Sequence, residues 1–529
     1  MNSKITLAQS IQNLFRLTHQ GNRATFDWAL VVLLAVFLLS ALVLFAPSIR
    51  GNDGVCNYVF LRSLYFDGDV DFTNEYRAFD SLKQYPYRFS DKPLNPRTGL
   101  PENRYGIGSA MLWSPFFLVG HYLTEALAPQ EADGYSRAYA VAISLGSLFY
   151  GTLGLLLLYG ILRRVVHSCA AALAVLAVWG ASPLTFYLYF HPSMSHANSF
   201  FLVVLFLWLY LHLLRQPSPS RAAVMGIVGG LMAVTRFQDG VYLLLPIFGF
   251  VFARLLPRKK VSPETEAPAS GQRWWLLAVN FLLAAWLAMT PQFIVWSLLQ
   301  GSPLSGPTPY LGYSDFNLLW PRHLLQTFFA SNHGLFFWHP LWLAGLVGLL
   351  WGGNLIRSRA AGRDATEFGR QRRLFVAMFL LQAYLVSCWS VWWGGASFGA
   401  RLYISTLLAL AFGLAALVNR LITSNGGETA GAQCRRKPLT IAAGIVAIFV
   451  VWNFGLIVQY GLGLIPREGP VSPATLVRRQ FTEVPSRAFG AAGRFLGDRS
   501  GFAESQPVDR REPSASDSTT TGSVNMRPD

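Results

Sequence analysis

Long apolar runs separated by short polar connectors make up most of this chain. A helix needs roughly 17 to 25 mostly apolar residues to cross the hydrocarbon core of a bilayer. The pattern therefore predicts an all-α integral membrane protein. Nine runs are long enough to predict full crossings: 29–48, 138–162, 170–188, 198–214, 274–298, 335–356, 374–391, 402–418 and 439–460.

Two further apolar stretches do not fit single crossings. The run 222–255 is interrupted by polar residues at 236–239, and it is too long for one span and too short for two. We predict two abbreviated helices that meet at a polar tip. We expect 106–127 to be a re-entrant or surface-lying segment. The sequence as a whole predicts about eleven transmembrane helices, with short interfacial helices in the first loop.

The basic connectors predict the orientation, because loops rich in Lys and Arg stay in the cytoplasm. We expect the amino terminus and the connectors at 163–164, 215–221, 254–273, 357–373 and 435–437 to be cytoplasmic. The remaining connectors are then extracytoplasmic. They are 49–105, 189–197, 236–239, 299–334 and 392–401.

Composition agrees with a membrane protein and excludes a water-soluble globule. Apolar residues make up 52% and charged residues 13% of the chain, whereas soluble proteins carry about a quarter charged residues. The net charge of +16 comes from short connectors rather than one continuous face, so we expect no nucleic-acid partner. The four cysteines, at 56, 169, 388 and 434, share no close spacing and suggest neither a zinc site nor a redox pair.

Five segments divide the chain. We predict a cytoplasmic amphipathic lead at 1–28, before an uncleaved signal anchor, and a polytopic transmembrane domain at 29–463. The first extracytoplasmic loop occupies 49–108 of that domain. Scattered Arg and apolar residues predict an extracytoplasmic interfacial segment at 464–503, and the composition of 504–529 is typical of disorder.

The first extracytoplasmic loop is dense in acids. Asp53 lies nearest the membrane, where a carboxylate within hydrogen-bond reach of an acceptor hydroxyl can serve as a general base. The alternative is a helix N-cap, because Asp before an apolar run satisfies free backbone donors. Asp67 and Asp69 can hold a divalent cation, although Asp-Gly also marks a tight turn, which we favour.

Charged and histidine side chains gather at two further outer helix ends. A buried charge must find a partner or line a wet cavity, so Arg236 either pairs with Asp239 or binds phosphate. His191 and His196 lack a nearby carboxylate, and such pairs more often make hydrogen bonds than bind metal.

The segment 389–401 concentrates Trp, Gly and one Arg at another outer end. Glycines let backbone approach a ligand closely, and the forked donors of Arg401 can neutralise phosphate, with helix-end snorkelling as the alternative. Interfacial Trp residues anchor helices in any case. The substrate-binding candidates on this face are Tyr58, His191, His196, Asp239, His333, Trp392 and Trp393.

Three features together resemble the GT-C membrane glycosyltransferases, in particular the bacterial protein mannosyltransferase-like and aminoarabinose-transferase-like branch. They are the acidic first loop, the short helix pair tipped by Arg236, and the Trp-Trp-Gly-Gly and Ser-Phe-Gly-Ala-Arg sequences that end at Arg401. The resemblance covers roughly the first 460 residues in hydropathy and loop order.

The resemblance implies a bacterial cytoplasmic (inner) membrane enzyme whose active face is extracytoplasmic. It implies transfer of a sugar from a polyprenyl-phosphate donor to a glycan, lipid or protein acceptor, with inversion. Asp53 would be the base, and Arg236, Arg401 and Arg322 would stabilise the lipid phosphate. Asn52 departs from the family's paired acids, so the resemblance implies no required cofactor and does not indicate a divalent metal.

Two other classes share the hydropathy. A transporter or flippase for a lipid-linked or anionic substrate should carry ionisable residues at mid-membrane or interrupted helices in related halves, and no internal repeat is present in the sequence. A structural or assembly protein needs no catalytic acid.

Overall fold

The computed structural model describes residues 27–82, 88–248, 274–304, 316–356, 363–423, 434–497 and 499. Within these residues the chain is helical, apart from two isolated bridges between Leu94 and Pro101 and between Phe316 and Trp389. The all-α prediction is confirmed. The longer α-helices are α1 (Trp28–Leu44), α2 (Gly51–Arg62), α3 (Thr73–Leu82), α4 (Gly108–Leu127), α5 (Arg137–Leu162), α6 (Ser168–Gly180), α7 (His196–Arg215), α8 (Pro219–Thr235), α9 (Trp274–Gln300), α10 (Leu341–Ile356), α11 (Arg363–Ser387), α12 (Leu407–Ile422), α13 (Arg436–Gly461) and α14 (Pro473–Gly497).

Five helices of the described chain are long and apolar enough to cross a membrane. They are α5, α7, α9, α13 and the segment Arg401–Ile422. This last segment consists of a 3-10 turn at Arg401–Thr406 followed directly by α12. Shorter apolar helices, including α1, α6 and α8, accompany them. The chain is therefore a multi-pass membrane protein, and the total of about eleven spans stays a prediction.

Proline explains two of the predicted boundaries that are wrong. The run 170–188 does not form one helix, because α6 ends at Gly180 before Pro183 and the chain then makes a π turn at Phe186–Phe190. The run 335–356 is divided between Leu335–Trp338 and α10, since Pro340 lacks an N–H donor and disfavours helix in the residue before it.

The remaining predictions for the helices differ in outcome. The described part of the run 222–255, which ends at residue 248, contains α8 and a short 3-10 segment, Phe237–Leu243, that meet at Arg236 as predicted. The predicted run 374–391 is shifted, because α11 begins at Arg363 and ends at Ser387. The predicted interfacial segment contains α14. Most of the amphipathic lead, the connector 254–273 and the tail 504–529 lie outside the described residues.

Small residues bring the central helices into close contact. A Cβ added at Gly226 of α8 would lie 2.3 Å from the carbonyl oxygen of Phe281 in α9, and one at Gly230 would lie 2.4 Å from that of Ala285. Similarly, Gly413 of α12 faces the backbone of α10 at Gly345. Membrane helices use such small residues because lipid supplies no hydrophobic force that drives them together.

The bundle has two polar ends. At one, called the Asp27 end, Asp27 accepts hydrogen bonds from the Tyr159 hydroxyl at 2.8 Å and from Arg163 at 2.7 Å. The other, called the Asp53 end, contains the start of α2 and the turns 190–195, 236–239 and 394–401. Because α5 runs from one end to the other, the two ends lie on opposite sides of the bundle.

The first loop has a small core of its own. Aromatic side chains of α2, α3 and α4 pack together there, and Arg62 at the end of α2 pairs with Glu75 of α3 at 2.9 Å and with Asp67. Burial raises the pKa of Glu75 to about 7, with a contribution from Asp67 and only partial opposition from Arg62. At neutral pH the Glu75 side chain is thus close to half protonated.

This raised pKa predicts that stability depends on pH. The folded protein binds the Glu75 proton more tightly than the unfolded chain, whose pKa is near 4.5. The stabilisation is full below pH 4.5 and is lost as the pH rises through about 7. We expect Glu75→Gln to flatten the fall in Tm between pH 5 and pH 8, measured in detergent, and an unchanged slope would contradict the assignment.

Candidate functional site

The first turn of α2 positions Asp53 at the Asp53 end. Gly51 has φ +66°, which lets the chain turn sharply into the helix. Gly54 lies so close to the turn 190–195 that an added Cβ would be 2.3 Å from the Oγ atom of Ser193. Asp53 therefore enters the site on a fixed helix, with 22% of its side chain exposed.

Two side chains hold the Asp53 carboxylate. The Tyr105 hydroxyl donates to Oδ1 at 2.6 Å, and Nη1 of Arg401 donates to Oδ2 at 2.6 Å. The N-cap position of α2 belongs to Arg50, so the carboxylate makes a side-chain site rather than a helix cap. Burial alone would raise the pKa of Asp53, but the charge of Arg401, both hydrogen bonds and the charge of Arg104 lower it to about 2.

The glycines of the segment 389–401 orient Arg401. Its Nε atom donates to the carbonyl oxygen of Gly394 at 2.9 Å, and Nη2 donates to the same oxygen. Gly394 has φ +83°, and a Cβ there would lie 3.1 Å from Nε of Arg401. The remaining nitrogen, Nη1, is directed toward Asp53, so one guanidinium joins residues 348 positions apart in the chain.

A second guanidinium lies across His196 from this pair. Arg236 approaches Ser195 at 3.3 Å and Nε2 of His196 at 3.4 Å, and it donates to Gln238 at 3.1 Å. Gln238 in turn donates to the carbonyl oxygen of Leu402 at 3.0 Å, which ties the polar tip to the Arg401 turn. The structure thus brings Asp53, Arg401, His196 and Arg236 to one place.

The charge of Arg236 acts on the Asp239 carboxylate, which also accepts two hydrogen bonds. The Ser405 hydroxyl donates to it at 2.7 Å, and Ser199 of α7 also donates to it. These bonds satisfy a fully buried acid and fasten the polar tip to α7 and to the turn before α12. A positioning role fits these contacts better than the predicted substrate contact.

His191 and His333, which lie outside the membrane-spanning helices, are neutral near pH 7. Burial and the neighbouring Arg50 lower the pKa of His191 to about 3, and its Nε2 atom lies 2.9 Å from the Arg50 carbonyl oxygen. Burial lowers the pKa of His333 to about 4, and its Nδ1 atom lies 3.1 Å from the Trp393 carbonyl oxygen. Both rings therefore act as hydrogen-bonding groups that fix the surrounding turns.

Several candidates lie away from the Asp53–Arg401 pair. Tyr58 is buried in the first-loop core and donates to the Gly134 carbonyl oxygen. Arg322 is exposed. The Trp392 ring stacks with His323 at 6.2 Å, and the Trp393 indole donates to Glu468 at 2.8 Å, so both tryptophans fasten the rim.

The contacts of Asp67 and Asp69 are those of a turn. Asp67 pairs with Arg62 and accepts a hydrogen bond from Asn74 at 2.9 Å. Asp69 accepts bonds from the Ser63 hydroxyl at 2.9 Å and from the Asp71 amide at 3.0 Å. The structure places this cluster in the first-loop scaffold, as the favoured alternative predicts.

Two residues near Asp53, Tyr105 and Lys92, were not predicted from the sequence. Tyr105 bonds directly to the carboxylate, and Asn52 donates to the Tyr105 hydroxyl at 2.9 Å. Lys92 donates to the Asn52 side-chain oxygen at 2.9 Å. A positive charge thus lies beside the position where the family's second acid would be, and it disfavours a dication there. The one signal in the sequence is the polar run 103–105 before α4.

Comparison with solved structures gives two similar proteins. ArnT from Cupriavidus metallidurans in the apo state is 14% identical over 90% of this chain and 76% of its own, with a TM-score of 0.43. The Archaeoglobus fulgidus oligosaccharyltransferase, tethered with an acceptor peptide, is 15% identical over 88% of this chain and 58% of its own, with a TM-score of 0.44.

Both proteins are GT-C glycosyltransferases, the class that the sequence resembles. No protein-family profile matches the chain, and no curated protein sequence matches it. At TM-scores of 0.43 and 0.44 the likeness assigns no activity. The geometry itself shows one carboxylate and two guanidinium groups gathered at one end of a multi-pass membrane protein.

We predict that Asp53 and Arg401 are energetically coupled. Removing one partner leaves the other charge largely buried and without its principal counter-charge, whereas removing both is less costly. A double-mutant cycle with Asp53→Asn and Arg401→Gln should give a coupling energy of about 1 to 3 kcal/mol. Denaturation in mixed micelles measures it, and additive effects of the two substitutions would show that the pair is not formed.

Proposed function

We propose that this protein is a membrane glycosyltransferase that moves a sugar from a polyprenyl-phosphate donor to an extracytoplasmic glycan, lipid or protein, with inversion at the sugar. The observation that carries the proposal is the Asp53–Arg401 pair with Arg236 beside it. Ionisable residues are rare at the membrane and usually functional. A carboxylate and two guanidinium groups match an acceptor hydroxyl and an anionic leaving group, respectively.

The two arginines form the donor side of the proposal. During transfer, negative charge grows on the lipid phosphate, and preplaced cations stabilise that charge most strongly where water is scarce. Arg401 offers a guanidinium fork suited to two phosphate oxygens. The Arg236 guanidinium approaches Ser195 and His196 and donates to Gln238, which places a second cation close to the Asp53–Arg401 pair.

Donor binding also changes Asp53. With Arg401 beside it, Asp53 has a pKa of about 2 and is a poor base. A donor phosphate competes for the same guanidinium, and as Arg401 turns to the phosphate the pKa of Asp53 rises. Tyr105 keeps its bond to Oδ1 and orients the carboxylate. The base is therefore activated when the leaving group is in place.

Each atom has a defined destination in this reaction. The acceptor hydroxyl gives its proton to Asp53, and its oxygen forms a bond to the anomeric carbon. The bond between that carbon and the phosphate oxygen breaks, and its electron pair leaves with the polyprenyl phosphate. Attack opposite the leaving group inverts the configuration. Asp53 then releases its proton to water.

The alternative is a flippase for a lipid-linked or anionic substrate, and it differs in what the chain must do. A flippase moves a charged headgroup and makes no covalent bond, so it needs the arginines and no base. Replacing the Asp53 carboxylate by an amide of the same shape therefore separates the two functions. A structural or assembly role requires neither group.

We predict that Asp53→Asn lowers sugar transfer about 10²- to 10⁴-fold, the usual loss when a positioned base is removed. The measurement is transfer from a polyprenyl-phosphate sugar in membranes, together with surface glycans in cells. Asp91→Asn is the matched control, because Asp91 is an exposed acid of the same loop. Full transfer by Asp53→Asn at normal protein levels would contradict the proposed chemistry.

We also predict that Arg236→Gln weakens donor binding about 10- to 100-fold, because one charge-assisted phosphate contact is lost. The donor KM should rise while the acceptor KM stays within about twofold. Arg97→Gln, which alters an exposed first-loop arginine, should change neither value. An unchanged donor KM in Arg236→Gln would remove Arg236 from the donor site.

A further inference from the structure

Three metal-binding side chains converge at the Asp27 end, opposite the site described above. They are His167, Cys169 and Cys434, whose ligand atoms all lie within 4.8 Å of one another. Within the described residues this is the one group of three His, Cys, Asp or Glu side chains with such spacing. Each is partly buried, and the cysteines are free. Cys434 lies far from His167 and Cys169 in the sequence, so the spacing of the cysteines did not suggest a zinc site.

The end of α12 fixes the backbone of this cluster from two directions. The His167 amide donates to the Asn419 side chain at 2.8 Å, just before α6 begins. The Arg435 amide donates to the Ile422 carbonyl oxygen at 3.0 Å, just before α13 begins. Cys169 and Cys434 also pack against the main core of the bundle. The three side chains are therefore brought together by the fold rather than by a mobile loop.

The donor set selects the kind of metal. Two thiolates and one imidazole suit Zn²⁺ and similar borderline-soft cations, and the group contains no carboxylate for Mg²⁺ or Ca²⁺. Cys169 lies in the first turn of α6, and Cys434 lies two residues before the start of α13.

We propose that His167, Cys169 and Cys434 bind one Zn²⁺ and clamp α6 to α13, with water in the fourth position. Tetrahedral zinc places sulfur and nitrogen ligands about 3.5 to 4 Å apart, so the observed spacing closes with shifts of about 1 Å. Two thiolates neutralise the dication, which suits a partly buried position. His167 Nδ1 now accepts a long hydrogen bond from the Cys169 amide at 3.2 Å, a contact that ligation through this nitrogen would replace.

Cobalt provides the test, because Co²⁺ bound by thiolates has a charge-transfer band and tetrahedral d–d bands. The reduced full-length protein, purified without a histidine tag and stripped with a chelator, should bind one equivalent of Co²⁺. Added Zn²⁺ should remove both bands, since zinc binds more tightly than cobalt at such sites. Bound metal should also raise the Tm.

Cysteine variants locate the site. Cys169→Ser and Cys434→Ser should each weaken the charge-transfer band, and the double variant should lose it, whereas Cys388→Ser, which alters a buried cysteine elsewhere, should keep it in full. Absence of stoichiometric Co²⁺ binding by the wild-type chain overturns the proposal, as does a band that survives the double variant.

Discussion

The ion pair between Asp53 and Arg401 is the constraint around which the Asp53 end is built. It joins α2, in the first loop, to the turn that begins the last part of the central bundle. Both side chains are mostly withdrawn from solvent, at 22% and 13% exposure, so each charge would be costly alone. Tyr105 and the Gly394 carbonyl oxygen satisfy their remaining hydrogen-bonding groups. The pair thereby sets the positions of both chain segments.

In the proposed transferase, this pair also explains how a weakly basic carboxylate can act as the base. While Arg401 is engaged, its charge helps to lower the pKa of Asp53 to about 2, so the carboxylate stays ionised near neutral pH. An anion that takes over Arg401 makes Asp53 more basic. Linkage requires the reverse as well, so protonation of Asp53 frees Arg401 and strengthens anion binding. In the proposed reaction, the pKa of Asp53 and the binding of the donor are therefore thermodynamically linked.

The sequence predicts the parts of the structure that depend on local properties. Uninterrupted apolar runs locate α5, α7, α9 and α13 within about three residues, because length and hydropathy decide whether a helix can span a membrane. Asp53, Arg236 and Arg401 are recognisable individually, because charges at membrane helix ends are unusual. The polar run 103–105 is the one signal near Tyr105, and it does not identify Asp53 as the partner of Tyr105.

Contacts between distant segments account for what the sequence does not predict. Segments that are far apart in the chain come together to form the contacts of Tyr105, Lys92 and the His167 cluster. The spacing of residues in the sequence does not predict such contacts. The prediction that Tyr58 binds substrate is not supported, because the side chain is buried in the aromatic core of the first loop.

The Asp53–Arg401 equilibrium can be observed directly through infrared difference spectra of labelled aspartate, with Asp53→Asn as the reference. Without lipid the pKa of Asp53 should be about 2, and added polyprenyl phosphate should raise it toward 3.8 or above; a pKa that stays at about 2 with the lipid bound would contradict the account.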